Sequence, residues 1–159
     1  MRFGCCGSLV AAGPARTGVE IAEQIAALGY DYIELPLAEM MALSDGDFAA
    51  LRRQVAASGL RCETCNNFFP ASLRLTGAEA DPARIRAYYT RALERAAQLG
   101  AEVIVFGSAG AKRVPDGFDH AAAWRQVVEV TRAAGEAAAA YGITIAIEPV
   151  RRPDCNIVN

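Results

Sequence analysis

One histidine and one tryptophan occur among the 159 residues, and that scarcity excludes several kinds of chemistry. With His120 alone, no Ser-His-Asp arrangement can be assembled elsewhere in the chain. His120 stands beside Asp119, where a helix is expected to begin, so it reads as a capping or solvent-facing residue. No Walker-type phosphate loop is present, and the glycines after the first apolar run, in GSLVAAG, are too irregular to form a dinucleotide-binding turn. Basic charge is not in excess: 16 Lys and Arg stand against 18 Asp and Glu, a net charge of −2. Nucleic-acid binding normally leaves a clustered basic footprint, so no nucleic-acid partner is expected. No apolar run approaches the roughly 20 residues that span a bilayer, which leaves no membrane partner to expect. The opening MRFGCCGSLVAAG lacks a charged region followed by a long apolar stretch, so no signal peptide is expected and the expected location is the cytoplasm.

Cysteine is present but odd in number, at five, and without an export signal reduced thiols are expected. Cys62-Glu-Thr-Cys65 has zinc-knuckle spacing, and Cys5-Cys6 offers two more thiols. These cysteines lie in extended apolar runs, where a thiol behaves as a small core side chain. Residues i and i+3 of a regular strand also point to opposite faces, which suits no single ion. Core packing is the expectation.

What is present is a repeated local pattern. Leu28-Gly29 precedes YDYIELPL, Ser58-Gly59 precedes LRCETCNNFF, Leu99-Gly100 precedes AEVIVFGS, and Tyr141-Gly142 precedes ITIAIEPV. A glycine that closes a helix in left-handed conformation, followed at once by a β-prone run, marks a helix-to-strand junction. RFGCCGSL near the start supplies one more strand, making five. The stretches between them read as helices. Thr17 and Glu20 suggest a capping box ahead of Ile21, Ile25 and Leu28, and Ser44 and Asp47 play similar parts before Phe48, Leu51 and Val55. Asp81-Pro82 is a cap followed by proline in the first turn, ahead of Ile85, Tyr89, Leu93, Ala96 and Leu99. Asp119 caps a fourth helix with Trp124, Val127, Val128 and Thr131 on one face. Strands alternating with helices in this way require a parallel sheet with right-handed crossovers.

Two α/β architectures fit: an open doubly wound sheet, and part of a (β/α)8 barrel. In the last strand Ile143, Ile145 and Ile147 share one face, while Thr144, Ala146 and Glu148 share the other. In the second, Ile33 and Leu35 oppose Tyr32 and Glu34. A central doubly wound strand is apolar on both faces, whereas a barrel strand carries its functional groups at its C-terminal end. The barrel is favoured. A full barrel takes about 250 residues, so five of its eight strands take about 156. The expectation is a single domain over 1–159 forming the first five-eighths of a TIM barrel, as a truncated reading frame or a piece of a longer product. Open edges on strands one and five would then invite self-association.

The strand ends gather Cys6-Gly7-Ser8, Glu34, Asn66-Asn67, Gly107-Ser108 and Glu148. Asn66, Asn67 and Ser108 also suit loop capping, and Glu34 also suits pairing with an arginine. Glu148, after Ile-Ala-Ile, is expected to be paired, hydrogen-bonded or metal-bound, because burying a bare carboxylate costs too much. The loop GSAGAKRVPDGF offers backbone amides at Gly107, Ser108 and Gly110 with Lys112 and Arg113 nearby, a setting for an anionic or polyhydroxy ligand.

IAIEPVRRPDCNIVN resembles the fifth-strand motif of the sugar phosphate isomerase/epimerase family, the xylose-isomerase-like barrels that include ketose 3-epimerases and relatives of metal-dependent abasic-site endonucleases. That motif commonly reads Ile-Glu-Pro-Leu-Asn-Arg, an acid, then Asn-Ile-Ile-Asn. NNFFPASLRLTG and VIVFGSAGAKRVPDGF are similar to the family's loops after strands three and four. The resemblance implies that Glu148 binds a divalent metal, Mn2+ or Mg2+, and takes part in proton transfer. It also implies that Asp154 and Arg152 lie near the hydroxyls of a carbohydrate substrate. Asn66, Gly107 and Ser108, in the two loop motifs, are further candidates for substrate contact, and Arg151 departs from the usual Asn. The activity implied is epimerisation or isomerisation beside a carbonyl. The family's other metal ligands, an Asp, a His and a second Glu, belong to strands six to eight, so the fragment alone is expected to be inactive. A non-catalytic half-barrel that associates, a dehydratase of the same fold and an abasic-site nuclease are the other readings. The acidic balance disfavours the last.

Overall fold

The four junction glycines are left-handed, as the pattern requires. Gly29, Gly59, Gly100 and Gly142 have φ of 85°, 76°, 80° and 68°, and a Cβ at any of them would stand in open space. The turn, not crowding, therefore calls for glycine at these points. In the computed structural model, which describes residues 1–159, the strands are β1 (Gly4–Cys6), β2 (Tyr32–Pro36), β3 (Arg61–Asn66), β4 (Val103–Phe106) and β5 (Thr144–Ile147). The longer helices are α4 (Asp45–Ser58), α5 (Pro82–Leu99) and α7 (His120–Ala139). Shorter ones are α1 (Gly7–Val10), α2 (Ala22–Ala27), α3 (Leu37–Ala42) and α6 (Ala109–Lys112).

All five strands are parallel and lie in the order β1-β2-β3-β4-β5. That order decides between the two architectures. A doubly wound sheet reverses its strand order at a switch point, whereas a sheet laid down in sequence order with crossovers of one hand keeps its helices on one side. Ile33, Leu35, Cys62, Cys65, Ile104, Phe106 and Ile143 belong to the main hydrophobic core. On the opposite side Glu34, Thr64, Val103, Val105 and Ala146 are only half-buried. The architecture is a partial (β/α)8 barrel.

Three of the four expected helix caps form. The Ser44 hydroxyl accepts from the Asp47 amide at 3.1 Å, the Asp81 carboxylate from Ala83 and Arg84, and the Asp119 carboxylate from Ala122 at 2.7 Å. The Thr17-Glu20 capping box does not form. The Glu20 carboxylate instead accepts from the amides of Ala12 and Gly13, both at 2.7 Å, and a 3-10 turn at Val19–Ile21 precedes α2. Leu28, which the helical spacing places on one face with Ile21 and Ile25, is 77% exposed. In α7 the buried positions are Ala123, Val127, Ala134 and Ala138, while Trp124 and Val128 lie outside. Small residues let this helix approach the sheet closely, and the bulkier side chains turn to its flank.

Cys62 and Cys65 do not point to opposite faces of β3, as a regular strand would have them. Tyr32 pairs with Arg61 but Glu34 with Thr64, so β3 carries one extra residue between those points. The bulge brings residues i and i+3 to the same side, and both cysteines are fully buried in the core. All five cysteines are free thiols. The Cys65 thiol is raised well above its ordinary pKa by the neighbouring Cys62 thiol and by burial. Under native conditions a thiol reagent should therefore modify only the half-buried Cys5 and Cys6, leaving Cys62, Cys65 and Cys155 unmodified by mass spectrometry until denaturant is added.

One buried cation ties two helices together. Arg95 of α5, 3% exposed, donates to the carbonyls of Met40 and Leu43 and to the Asp45 carboxylate. Its guanidinium lies over the Phe48 ring, 4.7 Å from the centroid. The Leu43 carbonyl just past α3 thus receives a charged donor, and the Met40 carbonyl gains a second donor beside the Leu43 amide.

Candidate active site at the carboxyl ends of the strands

The strand ends carry two polar groupings. Over β4 and β5, the backbone sets the position of Glu148. Its amide donates to the Phe106 carbonyl at 3.3 Å, continuing the β4–β5 ladder by one residue. Its carboxylate then lies over Gly107, where a Cβ would overlap Oε2 and stand 3.3 Å from Cδ. Gly107 is there because the carboxylate needs the space. Contrary to the expectation of a buried acid that needs a partner, Glu148 is exposed, where water solvates the carboxylate, and it takes part in none of the six ion pairs of the chain.

Ser108 follows in left-handed conformation, φ 39°, and its hydroxyl accepts from the buried Phe69 amide at 2.9 Å. It thereby pins the loop after β3 to the loop after β4. Ser108→Ala should lower stability by about 2 kcal/mol in denaturant titration, since it leaves a buried amide without an acceptor. The next turn, α6, carries Lys112, 1% exposed. The Lys112 ammonium donates to the Glu148 carbonyl at 3.2 Å and lies 5.5 Å from the Phe106 ring centroid. Burial pushes its pKa below the ordinary value, against the opposite pull of Cys155 and Glu148. The loop is therefore not the open cationic cradle expected from its composition, because α6 turns the ammonium inward as a brace behind Glu148.

Over β1, β2 and β3 the register brings a second grouping together. Cys6 lies opposite Glu34, and Pro36 opposite Asn66. The Asn66 side-chain amide donates to Glu34 Oε1 at 2.7 Å and to Cys6 Sγ at 3.1 Å. Ser8 Oγ lies 3.3 Å from the same sulfur. No arginine pairs with Glu34; the amide of Asn66 takes that place. The adjoining Asn67, φ 47°, donates to both carboxylate oxygens of Glu39 at 3.1 and 2.9 Å.

The segment after β5 stays at the rim. Arg151, which departs from the usual Asn, holds the Asp154 carboxylate at 2.8 and 3.2 Å. Arg152 is exposed. Asn156, whose role the motif alone did not disclose, anchors the segment: it accepts from the Val114 amide at 2.9 Å and donates to the Val114 carbonyl at 3.0 Å. Cys155 and Ile157 are buried beside Val114, Ala123 and Val127. Of the residues singled out in the sequence, Gly107 and Glu148 meet, Asn66 joins Glu34 and Cys6, and Ser108 links two loops.

The divalent metal implied by the resemblance can be tested against these donors. No three His, Cys, Asp or Glu side chains are gathered anywhere in the chain in a way that could hold an ion. A hard ion such as Mg2+ wants about six oxygen donors in a near-octahedral shell. Glu148 alone does not meet that demand, so these residues do not fit the metal by themselves.

A parallel sheet laid down in sequence order, with its apolar face turned to the helices, defines part of a β/α barrel. The chain belongs to the xylose isomerase-like TIM barrel family, whose profile matches residues 22–159. Among solved structures it is similar to a D-psicose 3-epimerase crystallised in the presence of D-fructose, with a TM-score of 0.81 at 22% identity over 100% of this chain and 56% of that one. A D-psicose 3-epimerase with D-tagatose from Clostridium cellulolyticum H10 gives a TM-score of 0.79 at 21% identity, with the same coverage of 100% and 56%. An AP endonuclease of family 2 from Brucella melitensis gives 0.72 at 17% identity, covering 97% of this chain and 57% of that one. At such identities these likenesses concern the fold. The chain spans about 56% of the length of the first of these structures. No curated protein matches the chain by sequence, and no helix is long and apolar enough to cross a membrane.

Proposed function

We propose that these residues are the N-terminal part, as one domain over 1–159, of an isomerase or epimerase acting on a sugar or sugar derivative by proton transfer beside a carbonyl. The observation that carries this reading is the Glu148 carboxylate: at the end of β5, unpaired with any cation, with Gly107 kept small beneath it. A carboxylate positioned beside the carbon next to a carbonyl takes a proton from it and leaves an enediolate; return of a proton to the opposite face inverts that centre. Lys112 holds the main chain from which Glu148 projects, and Ser108 holds the loop that carries Lys112. Glu148 would supply one ligand to a divalent metal in a longer chain that brings the further donors such an ion needs. Asp154, Arg152, Asn66, Ser108 and Gly107 border the carbohydrate.

The test has two arms. The 159-residue chain with added Mn2+ should bind the ion weakly in calorimetry and should not epimerise D-fructose. A chain extended through three more strands bearing an Asp, a His and a Glu should do both, and Glu148→Gln in it should cut kcat by about 10²–10⁴-fold, the range for a lost general base. Epimerisation by the 159-residue chain at a comparable rate would overturn the assignment of the remaining ligands.

A second reading, association of two copies as a non-catalytic half-barrel, is favoured by one specific feature. Trp124, Val128 and Ile147 are 52%, 38% and 45% exposed. With Phe106, Val127 and Val158 they line a hollow of about 340 Å³ beside the open edge of β5. Burying this flank in a dimer should double the mass in light scattering and shift the emission of the single tryptophan to the blue as concentration rises. A monomer with unchanged emission would remove this reading.

A further inference from the structure

We propose that Glu34 is a specificity-determining residue that admits neutral polyols and rejects phosphorylated ones at the β1–β3 side of the mouth. This rests on the carbohydrate reading above and adds the class of carbohydrate. Glu34 is half-buried in β2, two residues before the strand ends at Pro36, on the side opposite the core residues Ile33 and Leu35. Six ion pairs occur in the chain, and none includes Glu34. Its partner is the neutral amide of Asn66, on Oε1 at 2.7 Å, and no bond engages Oε2. The Asn66 orientation follows from chemistry: with the amide reversed, its oxygen would face a carboxylate. The same amide nitrogen engages Cys6, so Asn66 fixes the direction of Glu34 from a neighbouring strand.

An ionised carboxylate accepts hydrogen bonds and donates none. Its free oxygen therefore calls for a donor, and sugar hydroxyls provide several. The surroundings agree. The only buried side-chain nitrogen or oxygen atoms without a partner in the whole chain are Thr64 Oγ1 and Asn66 Oδ1; the first lies in register with Glu34, and the second belongs to its hydrogen-bonding partner. Unmet hydrogen-bonding capacity is thus concentrated at one place. A phosphate monoester offers the opposite chemistry, with about two negative charges at neutral pH and few donors. The cations of the mouth belong to the β4–β5 side: Lys112 donates to the Glu148 carbonyl, Arg113 to the Asp154 carbonyl, and Arg152 follows β5, three strands from β2 in the sheet. Glu34 therefore favours a hydroxyl-bearing end of the substrate and repels a phosphorylated one.

The test uses the 159-residue chain and NMR, with D-fructose and D-fructose 6-phosphate as probes. D-Fructose should shift the Asn66 side-chain amide signals and the Cys6 and Glu34 backbone signals in a saturable way. The phosphorylated sugar should bind about tenfold more weakly at low salt, the size expected of like charges a few ångströms apart at a wet surface, with the gap closing as salt is added. Glu34→Gln keeps the shape and an acceptor for Asn66, and it should bring the two affinities to within about twofold of each other by removing that charge. Equal or tighter binding of the phosphorylated sugar to the parent chain overturns the proposal, and this comparison needs no variant. So does an unchanged ratio in Glu34→Gln, or the absence of saturable shifts with either sugar. None of these results bears on Glu148, whose reading stands or falls on proton transfer in the extended chain.

Discussion

Arg95→Met should lower the unfolding free energy by about 3 kcal/mol, since it removes a buried guanidinium that donates to the Leu43 carbonyl and shares the Met40 carbonyl with the Leu43 amide. Methionine keeps the aliphatic volume under α3, so the loss measures the guanidinium and not a cavity. The carbonyls of Met40 and Leu43 lose their charged donor, and the Phe48 ring loses the cation above it. The ion pair to Asp45 matters least, because that carboxylate side chain is 84% exposed and also pairs with Arg91 at 2.6 Å. Arg91→Met is therefore the control: it removes an ion pair to the same carboxylate but should leave the denaturant midpoint nearly unchanged. A loss at Arg95 no larger than at Arg91 would mean that water replaces the guanidinium at the end of α3.

Gly107→Ala should have the opposite profile, with a small effect on stability and a large one on Glu148. Gly107 is not among the positive-φ glycines, so alanine meets no backbone penalty there. The obstacle is the tip of a flexible side chain, with Val150 Cγ1 next at 3.7 Å. Rotating the Glu148 carboxylate away relieves the overlap, and stability should fall by no more than about 1 kcal/mol. In an extended, active chain the same rotation should lower kcat about 100-fold, the usual consequence of displacing a reacting group by about an ångström. A loss of fold with Gly107→Ala would show instead that β4 and β5 cannot separate to admit a methyl group.

The features legible in the sequence were the local ones. A helix end closed by glycine and a cap set by Ser44, Asp81 or Asp119 depend on a few consecutive residues, and all of these form. The parallel α/β class followed from the same junctions repeated, and the barrel was chosen from the unlike faces of the second and fifth strands. Where a residue chose a partner outside its own segment, the reading weakened. Glu20 has the spacing of a capping box, yet it turns back to the amides of Ala12 and Gly13. Trp124 and Val128 share a helical face with Val127, yet alanines make the close contact with the sheet. The bulge that turns Cys62 and Cys65 the same way exists only through pairing with β2. The site divides along the same line. Glu148 stood out because an acid ended an apolar run, whereas the Glu34–Asn66 pair depends on register between strands 32 residues apart. Lys112 read as part of a loop that could hold an anionic or polyhydroxy ligand, yet α6 turns it inward.

The order of strands in the sheet is also the order in which a ribosome makes them. Each strand finds its hydrogen-bonding partner in the segment translated just before it, so no pairing has to wait for a distant stretch to emerge. The nascent chain can add strands one at a time, with a single growing edge, which keeps loop closures short for a parallel sheet and limits the time unpaired β-structure spends in solution.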